Sequence, residues 1–124
     1  MAKVFISTPM NGLSNEAVKV ALKRAEVLVK EQLGKDVQVI NSFFENGEVP
    51  KGVPLGANGL YLLGRSFELL SECDAILMYG DWICARGCMM EFLAAKNYGI
   101  EILKVNKGTG RIVKDDRLFH NFKM

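Results

Sequence analysis

The segment Ala75-Ile76-Leu77-Met78-Tyr79-Gly80-Asp81-Trp82-Ile83-Cys84-Ala85-Arg86-Gly87-Cys88-Met89-Met90-Glu91 decides how this chain is read. Its first part, Ala75 to Tyr79, is a near-continuous apolar run. Such a run suits a strand whose two faces are both covered, as in a parallel sheet. A polar turn punctuated by Gly80 and Gly87 follows. The chain then enters the helical pattern Glu91-Phe92-Leu93-Ala94-Ala95, which reads as a helix from about Gly87 to Tyr98, stopped at Gly99. In an open α/β sheet the ligand crevice lies at the carboxyl ends of the strands, so this strand-turn-helix unit sets a carboxylate (Asp81), an indole (Trp82), a guanidinium (Arg86) and a glycine beside it. Glu91 lies one helical turn further in.

Working outward, Val4-Phe5-Ile6 is a short strand ended by Thr8-Pro9, and Asn11-Gly12 marks a turn. Ser14 or Asn15 caps a helix from Glu16 to Leu33. In it Val18, Ala21, Leu22, Ala25, Leu28, Val29 and Leu33 recur at steps of three and four, while Lys19, Lys23 and Lys30 fall largely on the other face. Gly34 stops it. Val37 to Ile40 is a second strand. Residues 44 to 59 form a long Gly- and Pro-containing loop, for which a functional lid and a plain connector are both compatible readings. Leu60 to Leu70 is helical by pattern. Ile100 to Val105 is a fourth strand, Arg111 to Val113 a short fifth, and the tail Asp116 to Met124 either a last helical turn or a segment that packs on a partner.

The order β-α-β-α-β-α-β, with helical crossovers, predicts parallel neighbours and right-handed connections. The expected fold is an α/β three-layer sandwich, flavodoxin- or Rossmann-like, with a four- to five-stranded, mostly parallel sheet in strand order 2-1-3-4 and any fifth strand at the edge. One domain over residues 1–124 is expected, because 124 residues support one core and are too few for two.

Composition narrows the function classes. Hydrophobic residues are 49% and charged residues 24%, and the net charge is +2 with no block of like charges. This argues against a nucleic-acid polymer as partner, which needs a concentrated basic face. No apolar run approaches the roughly 20 residues that span a bilayer, so no membrane association is expected. Three cysteines (73, 84 and 88) make no disulfide framework, which points to a reducing, cytoplasmic location. Cys84 and Cys88, four apart, could share a helix face. Without further ligands they read as small apolar packing rather than a metal site. His120 has no partner motif, and no triad is assigned.

The candidate site draws on two loops. Ser7-Thr8-Pro9-Met10-Asn11-Gly12 follows the first strand; its hydroxyls, N–H groups and helix start either bind a polar ligand group or form an ordinary capped turn. The dinucleotide and Walker glycine patterns are absent, so no nucleotide cofactor is implied on that ground. Glu91, flanked by apolar residues, belongs on or beside a buried face. Burial would raise its pKa unless a donor such as Arg86 or a helix-start amide holds the anion. Gly87, four residues earlier, admits a ligand near the backbone. Trp82 either stacks on a base or sugar or caps the core edge. Tyr61 and Arg65, four apart, share a helix face and either line the site or pack on the surface.

The stretches Val4 to Gly12, Leu69 to Leu77 and Trp82 to Glu91 make the chain resemble the nucleoside 2-deoxyribosyltransferase-like superfamily, and within it a small branch common in bacteriophages and their hosts. The similarity spans roughly residues 3 to 105, and its most specific part is Gly87-x3-Glu91 followed by a small-residue helix. The resemblance implies N-glycosidic bond transfer or hydrolysis on a nucleoside or nucleotide, with Glu91 as nucleophile forming a glycosyl ester. It implies no metal and no organic cofactor, a homodimer or larger assembly, and a site near a subunit interface. Asp81 is the second catalytic candidate. Ser7, Pro9, Met10, Asn11, Gly12, Tyr61, Arg65, Trp82, Arg86 and Gly87 are the substrate-binding candidates. The sequence departs from the family pattern at three places: Ala85 where an Asp or Ser often stands, Phe5 where a Tyr often stands, and Ser66 where many members have an Asp. A binding module that keeps the pocket without turnover is the alternative implied by those departures.

Overall fold

The computed structural model describes residues 2–10, 12–43 and 58–115. Asn11, most of the long loop before the second crossover helix, and the tail with His120 lie outside the described residues. The chain runs β1 (Lys3–Ser7), α1 (Asn15–Leu33), β2 (Gln38–Asn41), α2 (Asn58–Leu70), β3 (Ala75–Met78), a 3₁₀ turn (Trp82–Cys84), α3 (Arg86–Asn97), β4 (Glu101–Val105) and β5 (Ile112–Lys114). The five strands form one sheet in the order β2-β1-β3-β4-β5, as the sequence leads one to expect. β1, β2, β3 and β4 are mutually parallel, and β5 returns antiparallel on β4.

Strand alternation assigns the two faces. Val4, Ile6, Leu77 and Leu103 point to one face, where Val18, Leu22, Ala25 and Val29 of α1 cover them. Phe5, Ile76, Met78 and Ile102 point to the other, packed against Leu70 of α2 and Cys88, Phe92 and Ala95 of α3. Phe5, Ile6, Ile76, Leu77 and Ile102 are fully buried, as central strands covered on both faces require. α1 starts where a cap permits: the Ser14 side chain accepts from the Ala17 amide, with Glu16 in the first turn and Lys30 in the last.

Two side chains finish the sheet. Asp74 accepts from the Lys3 amide at 2.8 Å and its own amide donates to the Lys3 carbonyl, clamping the start of β1 to that of β3. Gln32 of α1 clamps the β4–β5 hairpin: its Nε2 donates to the Gly110 carbonyl at 2.9 Å and its Oε1 accepts from the Ile112 amide at 2.7 Å. An outward-facing backbone donor of the edge strand is thereby occupied. Among the described residues no helix is long and apolar enough to cross a membrane.

Candidate functional site

The reversal of strand order places the crevice between β1 and β3, where α1 leaves to one face and α3 to the other. Its floor is tight. The Tyr79 amide donates to the Ser7 carbonyl at 2.9 Å, and Gly80 (φ +78°) turns the chain against Thr8 and Pro9. A left-handed φ is the reason for glycine here.

Glu91 sits in the second turn of α3 and is only 5% exposed. The Ser7 hydroxyl, at the end of β1, donates to its Oε1 at 2.6 Å. The Ser66 hydroxyl of α2, which donates to the Leu62 carbonyl at 3.2 Å, also favours the ionised carboxylate. Three elements thus converge on one acid. Burial raises the Glu91 pKa above the usual carboxylate range, and the nearby Ser7 and Ser66 hydroxyls oppose that rise. The Cys88 thiol, one turn earlier on α3, interacts with Ser7 and is pushed up to about 11, chiefly by burial. It is therefore neutral at physiological pH.

The donor at Glu91 is Ser7, not Arg86, which is the exposed first residue of α3. Gly87 is exposed, and a Cβ there would meet nothing within 4 Å, so open space lies one turn before Glu91. Trp82 rests on Phe92 with ring centroids 5.1 Å apart, so part of its indole packs at the core edge. Asp81 is exposed. Both border a cleft of about 700 Å³ over the ends of β3 and β4, shared with Lys104, Asn106, Lys107 and Asp115. Glu91 does not line that cleft. Nor do Ser7, Tyr61, Arg65, Arg86 and Gly87. Tyr61 is half-buried and Arg65 exposed on α2. Pro9 and Met10 are half-buried, and Gly12 is exposed with φ +80°. Cys84 lies in the 3₁₀ turn and is exposed, whereas Cys88 is buried inside α3, so the two cysteines do not share a face.

Two neighbours of Glu91 escape a reading of the helices taken singly. Ser66 interrupts the apolar face of α2 between Leu62 and Leu70, a polar residue where a packed side chain is expected, and that interruption is its signal. Cys88 gives no such signal, since a buried cysteine packs as a small apolar residue.

A family model described as "Domain of unknown function (DUF4406)" matches residues 2–104. The chain belongs to the DUF4406 family. No curated protein matches it. Among solved structures, the 2-deoxyribosyltransferase from the psychrotolerant bacterium Bacillus psychrosaccharolyticus is similar, with 18% sequence identity and a TM-score of 0.58. The similarity covers 83% of this chain and 71% of that one. At this identity it shows a shared fold: this DUF4406 member has the α/β architecture of that enzyme.

Proposed function

We propose that this protein cleaves or transfers the N-glycosidic bond of a nucleoside or nucleotide, with Glu91 as the nucleophile. The observation that carries the reading is the buried Glu91 carboxylate, held by the Ser7 hydroxyl at 2.6 Å at the carboxyl end of β1, next to the sheet's switch point. Glycosidic cleavage develops positive charge at the anomeric carbon, and a fixed carboxylate stabilises it and then bonds to it. The C1–N bond breaks and its electron pair leaves with the base, which takes up a proton. Water or an acceptor base then displaces Glu91 from C1.

Asp81, on the same β3–α3 connection, is assigned proton exchange with the leaving base. The open space at Gly87 is the approach to Glu91. Ser7, Pro9, Met10, Asn11 and Gly12 on one loop, and Trp82 and Arg86 on the other, are assigned to ligand contact, with Tyr61 and Arg65 on α2. The fold shared with a 2-deoxyribosyltransferase supports the substrate class. Self-association belongs to the same reading. Leu60 and Phe67 on α2, Ile83 in the 3₁₀ turn and Met90 on α3 are large apolar side chains left exposed in one copy of the chain.

A second reading, ligand binding without turnover, is favoured by one observation: Glu91 is only 5% exposed, and burial opposes the ionised form that attack needs. Incubation with a panel of deoxynucleosides and their monophosphates separates the two. Free base that disappears in Glu91→Ala supports the enzyme. Thermal stabilisation by one of these compounds without base release supports binding alone.

A further inference from the structure

The cleft over the ends of β3 and β4 has a volume of about 700 Å³. That is the size of a small-ligand site, roughly 300–1,000 Å³. One wall is the β3–α3 connection, with Asp81 and Trp82. The other is the turn of the β4–β5 hairpin, with Asn106 and Lys107, both exposed. Part of the Trp82 indole packs on Phe92, which holds the ring in place beside the cleft.

Asn106 is tied down in all but one of its polar groups. Its amide donates to the Arg111 carbonyl at 2.8 Å, and its carbonyl accepts from the Gly110 amide at 2.7 Å. Its side-chain Oδ1 accepts from the Gly108 amide at 2.9 Å and from the Thr109 amide at 3.2 Å. Only the oxygen of a side-chain amide can accept from two N–H groups, so the orientation of this amide is decided. What Asn106 has left to offer is Nδ2 with its two protons. Lys107 adds an ammonium next to it. Lys104, also on the cleft, is bound to Asp115 Oδ2 at 3.3 Å. The hairpin turn therefore presents donors.

We propose that this cleft holds the base of the substrate, and that the base carries a ring carbonyl oxygen that accepts from Asn106 Nδ2. The part played in turnover rests on Glu91 being the nucleophile; the binding of the base does not. The sheet supports the placement. Met78 borders the cleft and pairs in register with Ser7, which holds Glu91. Neighbouring strands lie about 4.8 Å apart, so the cleft begins one strand away from the carboxylate, a gap that a glycosidic linkage bridges. The ring of the base lies against the part of Trp82 that Phe92 leaves uncovered. As the Glu91 oxygen bonds to C1, the C1–N bond breaks and its electron pair passes to the base, spreading through the ring onto the carbonyl oxygen. Fixed donors beside an oxygen that gains charge favour this departure. The base then takes up one proton, in the exchange assigned to Asp81. An amino group in place of the carbonyl would set donor against donor. The cleft thus selects oxo-substituted bases, which among simple purines means hypoxanthine over adenine.

The test titrates the whole protein with these two free bases, which differ at one ring position. Two signals are followed by ¹⁵N NMR: the Trp82 indole N–H and the Asn106 side-chain NH₂. Hypoxanthine is expected to shift both along one saturation curve, and adenine to bind roughly tenfold more weakly. Asn106→Asp keeps an oxygen for the Gly108 and Thr109 amides and puts a second oxygen where the donor stood. It is expected to weaken hypoxanthine binding by roughly tenfold or more and to leave the melting temperature unchanged. The proposal is overturned if hypoxanthine leaves both signals in place, binds no better than adenine, or binds Asn106→Asp equally well. The first two results require no variant to fold. If deoxyinosine releases base while hypoxanthine leaves Trp82 and Asn106 unmoved, the base site fails and the nucleophile stands. If hypoxanthine binds there and deoxyinosine releases no base, the base site stands and the nucleophile fails.

Discussion

The Ser7 hydroxyl meets Glu91 Oε1 at 2.6 Å across 84 positions of sequence, tying the last residue of β1 to the second turn of α3. Both residues are almost fully buried, at 1% and 5% exposure. A carboxylate so enclosed depends on its donors for its charge. Ser7→Ala removes this bond and leaves a buried acceptor short of a partner, at a cost of about 1–3 kcal/mol. The loss bears on the ionised form, so it grows with pH. Urea unfolding is expected to show a larger deficit at pH 8 than at pH 4.

Glu91 makes a second prediction about pH. Its folded-state pKa is raised, chiefly by burial. The folded state therefore holds this proton more tightly than the unfolded chain, and the associated stability is complete below the unfolded value. It is lost as pH rises through the folded one. Glu91→Gln keeps the shape, keeps an oxygen to accept from Ser7, and carries no charge to bury. Its melting temperature is expected to exceed that of the unaltered protein by a few degrees, roughly the shift a 1 kcal/mol gain gives a domain of this size, at pH 8 and not at pH 4. Thermal melts at both values check this. Stability gained by removing a functional acid is a usual trade.

Gly80 joins the two loops of the crevice. Its φ of +78° lies in the left-handed region, and an added Cβ would stand 3.5 Å from Pro9 Cδ and 3.6 Å from Thr8 Oγ1. That spacing is ordinary contact, so the cost of Gly80→Ala comes from the backbone conformation, about 1–2 kcal/mol. Chemical denaturation should show the loss. The amide signals of Ser7 to Met10 should shift with it, since the strained turn presses on that loop.

Gln32→Ala tests the clamp on the edge hairpin. It deletes two hydrogen bonds to the backbone, at 2.9 Å to Gly110 and 2.7 Å from Ile112. Because the site is exposed, a loss of about 1 kcal/mol is expected. The freed donor of the edge strand should also speed hydrogen exchange at Ile112, which exchange mass spectrometry or NMR reports.

Much of the fold was legible in the sequence for a physical reason. Ala75 to Met78 could be apolar throughout only if covered on both faces, and the helical crossovers on either side then make β1 to β4 parallel, in the expected order β2-β1-β3-β4. The Val18, Leu22, Ala25, Val29 stripe of α1 reads directly as the buried face. Element ends were less legible. β4 begins at Glu101 rather than Ile100, because strand pairing starts only at Ala75 opposite it. The site was legible in part. Apolar neighbours on both sides of Glu91 mark its burial, but they cannot say who donates to it. Ser7 reaches it through the packing of elements distant in sequence, and Arg86, adjacent on the helix, turns to solvent instead. Trp82 shows the same limit: its contact with Phe92 depends on the 3₁₀ turn, which periodicity does not reveal.

The central claim is that Glu91 attacks an anomeric carbon. The most direct measurement is mass spectrometry of the intact protein after brief acid quench with a deoxynucleoside or its monophosphate, alongside chromatography for free base. The account predicts a mass increase of one deoxyribosyl group (or its phosphate) mapped to Glu91, with release of the base, and neither in Glu91→Gln. Base release that persists undiminished in Glu91→Gln, or a glycosyl group mapped to another residue, would contradict it.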